Sequence, residues 1–450
     1  MTQTGRPEVR ASPETGREWA SLLRSGIASR PSDALSARAE LGLPTDRPII
    51  MTGHQCAVWH AGIAAKFVAA DLFAAAHSGA AAWLWVDQDT DDSAAIRVPV
   101  RSSDGRLAVN IWALKPAPPH DHAAASRPAF APAPFAGRPA LDSVSRGLSA
   151  ISKALSAQST ASNTAVQVAG AVGTLLTQFV RPGVALFATA LLRTTLGREI
   201  LAAMSRDPLR VVSSYNRAAA AKPEAGIAPL RIDEAEDRIE LPLWRIRPDL
   251  PRARVFADEL PTINPAELAP RALLLTGIVR VAACDLFIHG TGGGVYDTIT
   301  EEWFLAAFER TLAPTVTITA DVLLPLGAPE TSEASVARAA WTLHNARHNP
   351  DAIGDSTAAA AKAAAIADLA RRRRANEPQQ ASYLAMHSAL SEYRTRNRDR
   401  LDALERALES RRAELLELPI ARDRTWAFPF HSHESLVALR DAVARALEAT

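Results

Sequence analysis

Apolar residues recur at helical spacing between Gly62 and His77, at Ile63, Phe67, Ala70, Leu72 and Phe73, with a short apolar run on either side. Pro48-Ile-Ile-Met-Thr-Gly-His-Gln55 ends in a glycine turn. Ala81-Ala-Trp-Leu-Trp-Val86 has no polar interruption, as expected of a strand buried on both faces. Strand, turn, helix and strand within about 40 residues predict a right-handed parallel βαβ unit. A second buried strand is expected at Gly183–Ala188. A third, Cys284–His289, runs into a glycine-rich loop, and Thr315–Leu324 alternates like a further strand.

The rest of the pattern is helix and connection. Residues 1–47 read as polar and helical. Ala95–Val100 and Leu107–Leu114 alternate around an Asp-Gly turn and predict a hairpin. Residues 115–141 read as a Pro/Ala-rich loop, 142–180 and 194–221 as helical, and 227–246 as a small antiparallel appendage. Residues 266–284 are helical again. Thr298 and Glu301 have capping-box spacing, which predicts a helix start just after the glycine loop.

The expected organisation is a core over 1–330, with connecting insertions at about 103–180 and 225–265. A helical hairpin or coiled coil follows at 331–420, then a terminal strand (Trp426–Phe430) and helix at 421–450. Leu401, Leu404, Leu408, Leu415 and Leu418 occupy heptad positions, with Arg411 filling one d slot. They require a partner: a second copy through residues 380–418, or the helix at 356–376 folding back.

Composition narrows the classes. With 50 Lys+Arg against 49 Asp+Glu, the chain has no whole-molecule attraction for nucleic acid or an anionic membrane. The apolar stretch Val168–Leu192 is broken by Gln178, Arg181, Pro182 and Gly183, too early for a membrane span, and the N-terminus carries no apolar leader pattern. Two cysteines, Cys56 and Cys284, are too few for a disulfide framework. These features predict a cytoplasmic protein acting on small molecules. Only five of the cations are lysines, which makes Lys66 informative.

Three clusters carry candidate chemistry. Thr52-Gly-His-Gln55 and His60-Ala-Gly62 lie between the first strand and its helix, where backbone N–H groups and the helix dipole favour an anion. Thr52, Gly53, His54, Gln55, His60, Gly62 and Lys66 are therefore candidate phosphate or carboxylate ligands; a strand-to-helix turn with structurally satisfied histidines is the plain alternative. Cys56 reads as an apolar filler, or as a nucleophile with His54 or His60 as its base.

The second cluster is Asp87-Gln-Asp-Thr-Asp-Asp92. Its acids, Asp89 and Asp91 foremost, could hold Mg²⁺ or an ammonium group or act as a general base; a solvated loop fits equally well. The third is His289-Gly-Thr-Gly-Gly-Gly-Val-Tyr-Asp297, where His289, Gly290, Gly292, Gly293, Gly294, Tyr296 and Asp297 could cradle an anion. Arg371–Arg374 read as a solvated basic face, and His431 and His433 as surface histidines.

Met51-Thr-Gly-His-Gln55 with its helix start, and the tryptophan strand ending in Asp89-Thr-Asp91, resemble the motifs of the bacillithiol-biosynthesis cysteine-adding enzymes. In that family Thr-Gly-Gln-Gln and Glu-Asp-His-Asp are usual, so His54 and Thr90 are departures. The resemblance implies an α/β fold with a Rossmann-like parallel core of the class I synthetase and nucleotidyltransferase type and a C-terminal coil. It also implies a ligase joining cysteine to a small amine, and a homodimer; ATP is a candidate cofactor for the activation, and Mg²⁺ is the candidate metal because the 87–92 acids offer hard oxygen ligands. His54, Gln55 and His60 would hold the anionic group, and Asp89 and Asp91 the amine or metal. A nucleotidyltransferase and a non-catalytic sugar- or nucleotide-binding scaffold are the alternatives.

Overall fold

A computed structural model describes residues 7–448, apart from 91–94, 116–120, 234, 236–237 and 249, and only the backbone of Val295. Asp91, a predicted site residue, lies outside the described residues, as does Asp92.

The chain begins with β1 (Glu8–Ser12), α1 (Gly16–Ala28) and α2 (Ala34–Glu40). The strand corrects the all-helical reading of 1–47: five residues on a sheet edge bury too little to leave a strand pattern. Thr15 caps α1 in a reciprocal capping box with Glu18. The expected βαβ unit follows as β2 (Ile49–Gln55), α3 (Ala61–Ala76) and β3 (Ala80–Val86). The two strands pair parallel, from Ile49–Ala80 to Gln55–Val86. Helix α3 is apolar on nearly every face and buried along most of its length.

Strands β4 (Ala95–Arg101) and β5 (Leu107–Ala113) form the expected hairpin. Then come α4 (Asp142–Ala157), α5 (Thr164–Leu176) and β6 (Val184–Phe187). β6 is an edge strand with only Leu186 buried, so its apolar sequence overstated its burial. The single helix expected at 194–221 is two, α6 (Thr195–Arg206) and α7 (Pro208–Ala220). Asp207 ends the first and caps the second at Arg210 N, 3.0 Å away, and Pro208 admits no continuation.

The appendage is a four-stranded sheet of β7 (Ile232–Asp233), β8 (Arg238–Arg245), β9 (Ala253–Phe256) and β10 (Leu268–Pro270). Helix α8 (Ala272–Ile278), β11 (Leu286–His289), α9 (Gly294–Phe308) and β12 (Thr315–Asp321) complete the core. Helix α9 starts at Gly294, so Thr298 and Glu301 lie inside it and form no cap.

The central sheet has the order β1-β12-β11-β2-β3-β6. β1 is antiparallel to β12, and every other pairing is parallel. The fold is thus mixed α/β around a largely parallel sheet. Chain order reverses between β2 and β11: β3 and β6 follow outward from β2, and β12 outward from β11. In open parallel sheets, ligands bind at the carboxyl ends beside such a reversal.

The chain divides into two compact units: 1–102 with 109–325 and 423–450, and 103–108 with 326–422. The second holds four helices, α10 (Glu333–His348), α11 (Ser356–Arg374), α12 (Gln380–Arg396) and α13 (Arg398–Ala421). Helix α10 packs on α13 and α11 on α12, so the helical region is two pairs where one hairpin or coil was expected. Leu401 and Leu408 are buried inside this unit.

The first unit ends with α14 (His433–Glu448), packed on α3. The strand expected at Trp426–Phe430 is a 3₁₀ turn at Phe428–Phe430, preceded by one bridge from Ala427 to His60. Its aromatic residues are buried, which mimics a strand pattern. Among the described residues, no helix is long and apolar enough to cross a membrane.

Candidate functional site

Loops from β2, β3 and β11 open on one cavity of about 650 Å³ in the first unit. Two ring stackings and one hydrogen bond of Trp59 anchor the β2–α3 turn. Trp59 stacks on Phe67 at 4.6 Å and on Trp85 at 5.3 Å, and its indole N–H donates to the Gln55 carbonyl at 2.8 Å.

This turn presents His54 and His60 to the cavity. His60 is the N-cap of α3, its Nδ1 accepting from Gly62 N at 3.1 Å. The imidazole therefore fills one anion position that sequence reasoning left open at that helix end. Burial, Arg424 and Lys66 lower its pKa. His54 Nδ1 is buried with no aligned hydrogen-bond partner, and burial, with Lys66 and His60 nearby, pushes the ring down to about 3. It is neutral at physiological pH.

Lys66 reaches from α3 to the same place and donates from Nζ to the Gly53 carbonyl at 2.7 Å. Burial lowers its ammonium to about 7, and among the described residues no carboxylate lies within ion-pair distance of it. Gly53 and Gly62 are required by close approach. A Cβ on Gly53 would sit 2.5 Å from the Leu84 carbonyl oxygen, and one on Gly62 2.5 Å from that of Ala320. Thr52, a predicted ligand, is fully buried, and its hydroxyl donates to the Ile288 carbonyl at 2.9 Å; it is a strand contact outside the cavity lining.

The acidic string splits. Asp89 lines the cavity, 3.4 Å from both Gln55 Nε2 and Arg252 Nη1. Asp87 turns away and is buried: Thr189 donates to it from its backbone N (3.0 Å) and its hydroxyl (2.6 Å). Burial raises its carboxyl to about 6. Among the described residues, no group of three or more His, Cys, Asp or Glu is placed to hold a metal ion.

In the glycine loop, Gly290, Gly292 and Gly293 line the cavity with His289 and Tyr296, whereas Gly294 and Asp297 stand behind it. None of these glycines has positive φ. Gly293 is needed by proximity, since a Cβ there would lie 2.3 Å from His289 Nδ1; around Gly292 there is open space. His289 Nε2 lies 3.0 Å from Asp297 Oδ1. Asp297 is also met by buried Arg280, from Nη1 at 3.3 Å.

The opposite wall was missed from sequence. Trp244 is flanked by two guanidinium groups, Arg252 at 4.2 Å and Arg271 at 4.6 Å from its ring centre. Arg271 bonds buried Glu240, and Arg252 donates to the Gln88 carbonyl at 3.0 Å. Tyr215 and Arg424 also line the cavity, with Arg424 paired to Asp321 at 2.7 Å. These residues come from segments far apart in the chain, and no local spacing marks them.

The secondary candidates resolve simply. Cys56 is buried, burial raises its thiol, and it lies against the Val86 carbonyl, so it is no nucleophile in this state. Arg371 and Arg372 pair with Asp368 of their own helix. His431, expected on the surface, is buried; burial lowers it to about 4, with His60 contributing.

Lys66, Arg252, Arg271, Arg424 and Asp89 line one crevice; Arg252 is paired with Asp89, Arg271 with Glu240 and Arg424 with Asp321, so among the described residues Lys66 is the lining cation without a carboxylate. No protein-family model matches the chain, and no curated protein matches it.

Proposed function

We propose that the protein is a carbon–nitrogen ligase of the cysteine-adding type, built on a Rossmann-like core of the class I synthetase kind. It would form an amide between an amino-acid carboxylate and a small amine. The observation that carries this reading is Lys66: a buried ammonium with no carboxylate partner among the described residues, beside the reversal of strand order and reaching Gly290 of the glycine loop. Such a group lacks an anion, and the phosphate of an activated acyl donor would supply one.

The residues suit a nucleotide phosphate better than a divalent cation. Lys66, the loop backbone from Gly290 to Gly293 and the neutral His54 would hold phosphate oxygens. Mg²⁺ finds only Asp89 among the described carboxylates in the cavity, so no step is assigned to a metal. Asp89, with Gln55, would hold the incoming amine. The wall of Arg252 and Arg271 would orient a further anionic part of either substrate.

The same phosphate cradle supports a nucleotidyltransferase as the second reading. Full-length protein incubated with ATP, cysteine and a panel of amino sugars and amino-sugar conjugates separates the two. An amide product by mass spectrometry supports the ligase, and pyrophosphate release without amide supports the transferase. Loss of amide formation in His54→Ala and Asp89→Ala, with unchanged circular dichroism, is expected. Full activity in both overturns the assignment.

We further propose a cytoplasmic homodimer joined through residues 380–418; Leu401 and Leu408 are already covered within the helical unit, so exposed Leu384 and Leu416 would carry its contact. Light scattering at twice the chain mass of 48.1 kDa supports it, and a mass of 48.1 kDa at micromolar concentration refutes it.

A further inference from the structure

Among the described residues three histidines, His54, His60 and His289, line the cavity, and their surroundings differ in a way that assigns the proton transfer. A histidine that takes a proton from a nucleophile becomes an imidazolium and needs a carboxylate to stabilise that charge and to fix the ring. Among the described residues His54 has no such partner: its Nδ1 is orphaned, and its charged neighbours are Lys66 and, when protonated, His60. His60 spends Nδ1 on the N-terminus of α3 and lies near Arg424 and Lys66, although Asp321 and Asp423 act in the opposite sense.

His289 stands apart. It ends β11 at the cavity wall, and its Nε2 lies 3.0 Å from Asp297 Oδ1. Nδ1 is left on the side of the cavity-lining loop, against Gly293. Asp297 is one turn into α9, buried, and anchored by Arg280, which is itself buried and also bonds Glu301 and the Ala313 carbonyl. Behind the ring, two carboxylates therefore share one guanidinium, leaving one negative charge for the imidazole. The contact lacks hydrogen-bond alignment: His289 Nε2 and Asp297 Oδ2 are both buried and unpartnered. Catalytic hydrogen bonds are often poorly aligned before substrate binds. Tyr296 of α9 stands edge-on to the ring, centre to centre 6.4 Å, and the apolar stem of Lys66 lies near Gly290, the next residue in the chain.

We propose that His289 is the proton-transferring residue of this site and that Asp297 is its positioning residue. The inference rests on the ligase reading for the identity of the nucleophile. As the amine nitrogen attacks the acyl carbon, its electron pair forms the C–N bond and its proton passes to His289 Nδ1. The bond from the acyl carbon to the activating phosphate oxygen, derived from the nucleoside triphosphate, breaks, and phosphate leaves with that electron pair. His289 then returns the proton to solvent.

The test reads the tautomer and needs no turnover. Full-length protein is labelled with nitrogen-15 at the histidine rings, and its cavity histidines are assigned from His54→Gln, His60→Gln and His289→Gln. The neutral ring of His289 is expected to carry its proton on Nε2, toward Asp297, which leaves Nδ1 free to accept. Asp297→Asn is expected to disturb that tautomer balance, with Asp297→Glu restoring part of it. A proton held mainly on Nδ1 overturns the proposal, as does a tautomer balance that Asp297→Asn leaves unmoved. If Asp297→Asn fails to fold, the tautomer in the unmodified protein decides alone. An absent amide product with the expected tautomer intact sinks the ligase reading and leaves the dyad standing.

Discussion

The ammonium of Lys66 donates to the carbonyl oxygen of Gly53 at 2.7 Å, joining the interior of α3 to the last residues of β2. One neutral acceptor does not compensate a buried charge, and burial lowers the ammonium from the ordinary 10.5 to about 7. Between those values the unfolded chain binds more protons than the folded one. Stability therefore rises with pH across this window, and the penalty is full below about 7.

Lys66→Met removes that penalty and also the hydrogen bond. Urea unfolding at pH 6 is expected to show the variant more stable by a few kcal/mol, on the order of 3. Near pH 10.5 the sign reverses, and the variant is about 1 kcal/mol less stable because only the lost hydrogen bond remains. A stability difference that does not change with pH rules out the buried-charge account. Binding of inorganic phosphate, read by calorimetry, should be lost in the same variant.

The glycines around the cavity are unequal. Gly53→Ala and Gly62→Ala each drive a methyl to 2.5 Å from a backbone carbonyl oxygen that a β-sheet holds in place. Each is expected to cost about 1–3 kcal/mol or more in thermal unfolding. Gly292→Ala meets nothing within 4 Å and should stay within about 0.5 kcal/mol of the parent. Equal losses at all three positions would mean that the loop requires glycine for another reason.

Asp87 provides a pH test of the opposite sense. Burial raises its carboxyl from 3.8 to about 6, so the folded state holds the proton more tightly than the unfolded one. Its contribution is favourable at low pH and is lost as pH rises from about 4 through 6. Asp87→Asn keeps an acceptor for Thr189 and carries no charge. It is expected to match the parent at pH 4 and to exceed it by about 2 kcal/mol at pH 8 in urea midpoints. A variant less stable at pH 8 would show that the two bonds from Thr189 outweigh the burial of charge.

The elements that announce themselves in the sequence are those with local causes. β2, α3 and β3 carry continuous apolar runs because both faces of the strands and most faces of α3 are buried. The His54 turn and the glycine loop are concentrated in a few residues each, and both reach the cavity. What was hidden has distant causes. Trp244, Arg252 and Arg271 reach the site from the appendage and the start of α8, and Arg424 from beyond the helical unit. β1 shows strand character only through its pairing with β12, some 300 residues later. Thr52 and Asp87 carry functional residue types, yet one bonds a neighbouring strand and the other a 3₁₀ turn. Residue type and spacing revealed the crevice; which way each side chain turned depended on partners no spacing encodes.

Asp285 sets the register on which that crevice depends. Its fully buried carboxylate accepts from Arg38 at 3.0 and 3.1 Å, from Arg30 at 2.8 Å, and from the backbone N of Ile49 at 2.8 Å. The last bond ties the residue before β11 to the first residue of β2, four positions before His289 and five before His54. Removing the carboxylate strands the Arg38 guanidinium in the core, which costs far more than the pair itself contributes. Asp285→Ala is therefore expected to lose about 3–5 kcal/mol in urea unfolding. Removing both charges with apolar residues of similar volume relieves that penalty, so Arg38→Met with Asp285→Leu should be more stable than Asp285→Ala alone. It should remain below the parent, because Ile49 N and Arg30 still lose their acceptor. Arg38→Met and Asp285→Leu are in contact, so their costs should fall short of additive by about 1 kcal/mol or more. Strict additivity in this cycle would show that Asp285 acts through Ile49 and Arg30 and that its pair with Arg38 is not what holds the two strands in register.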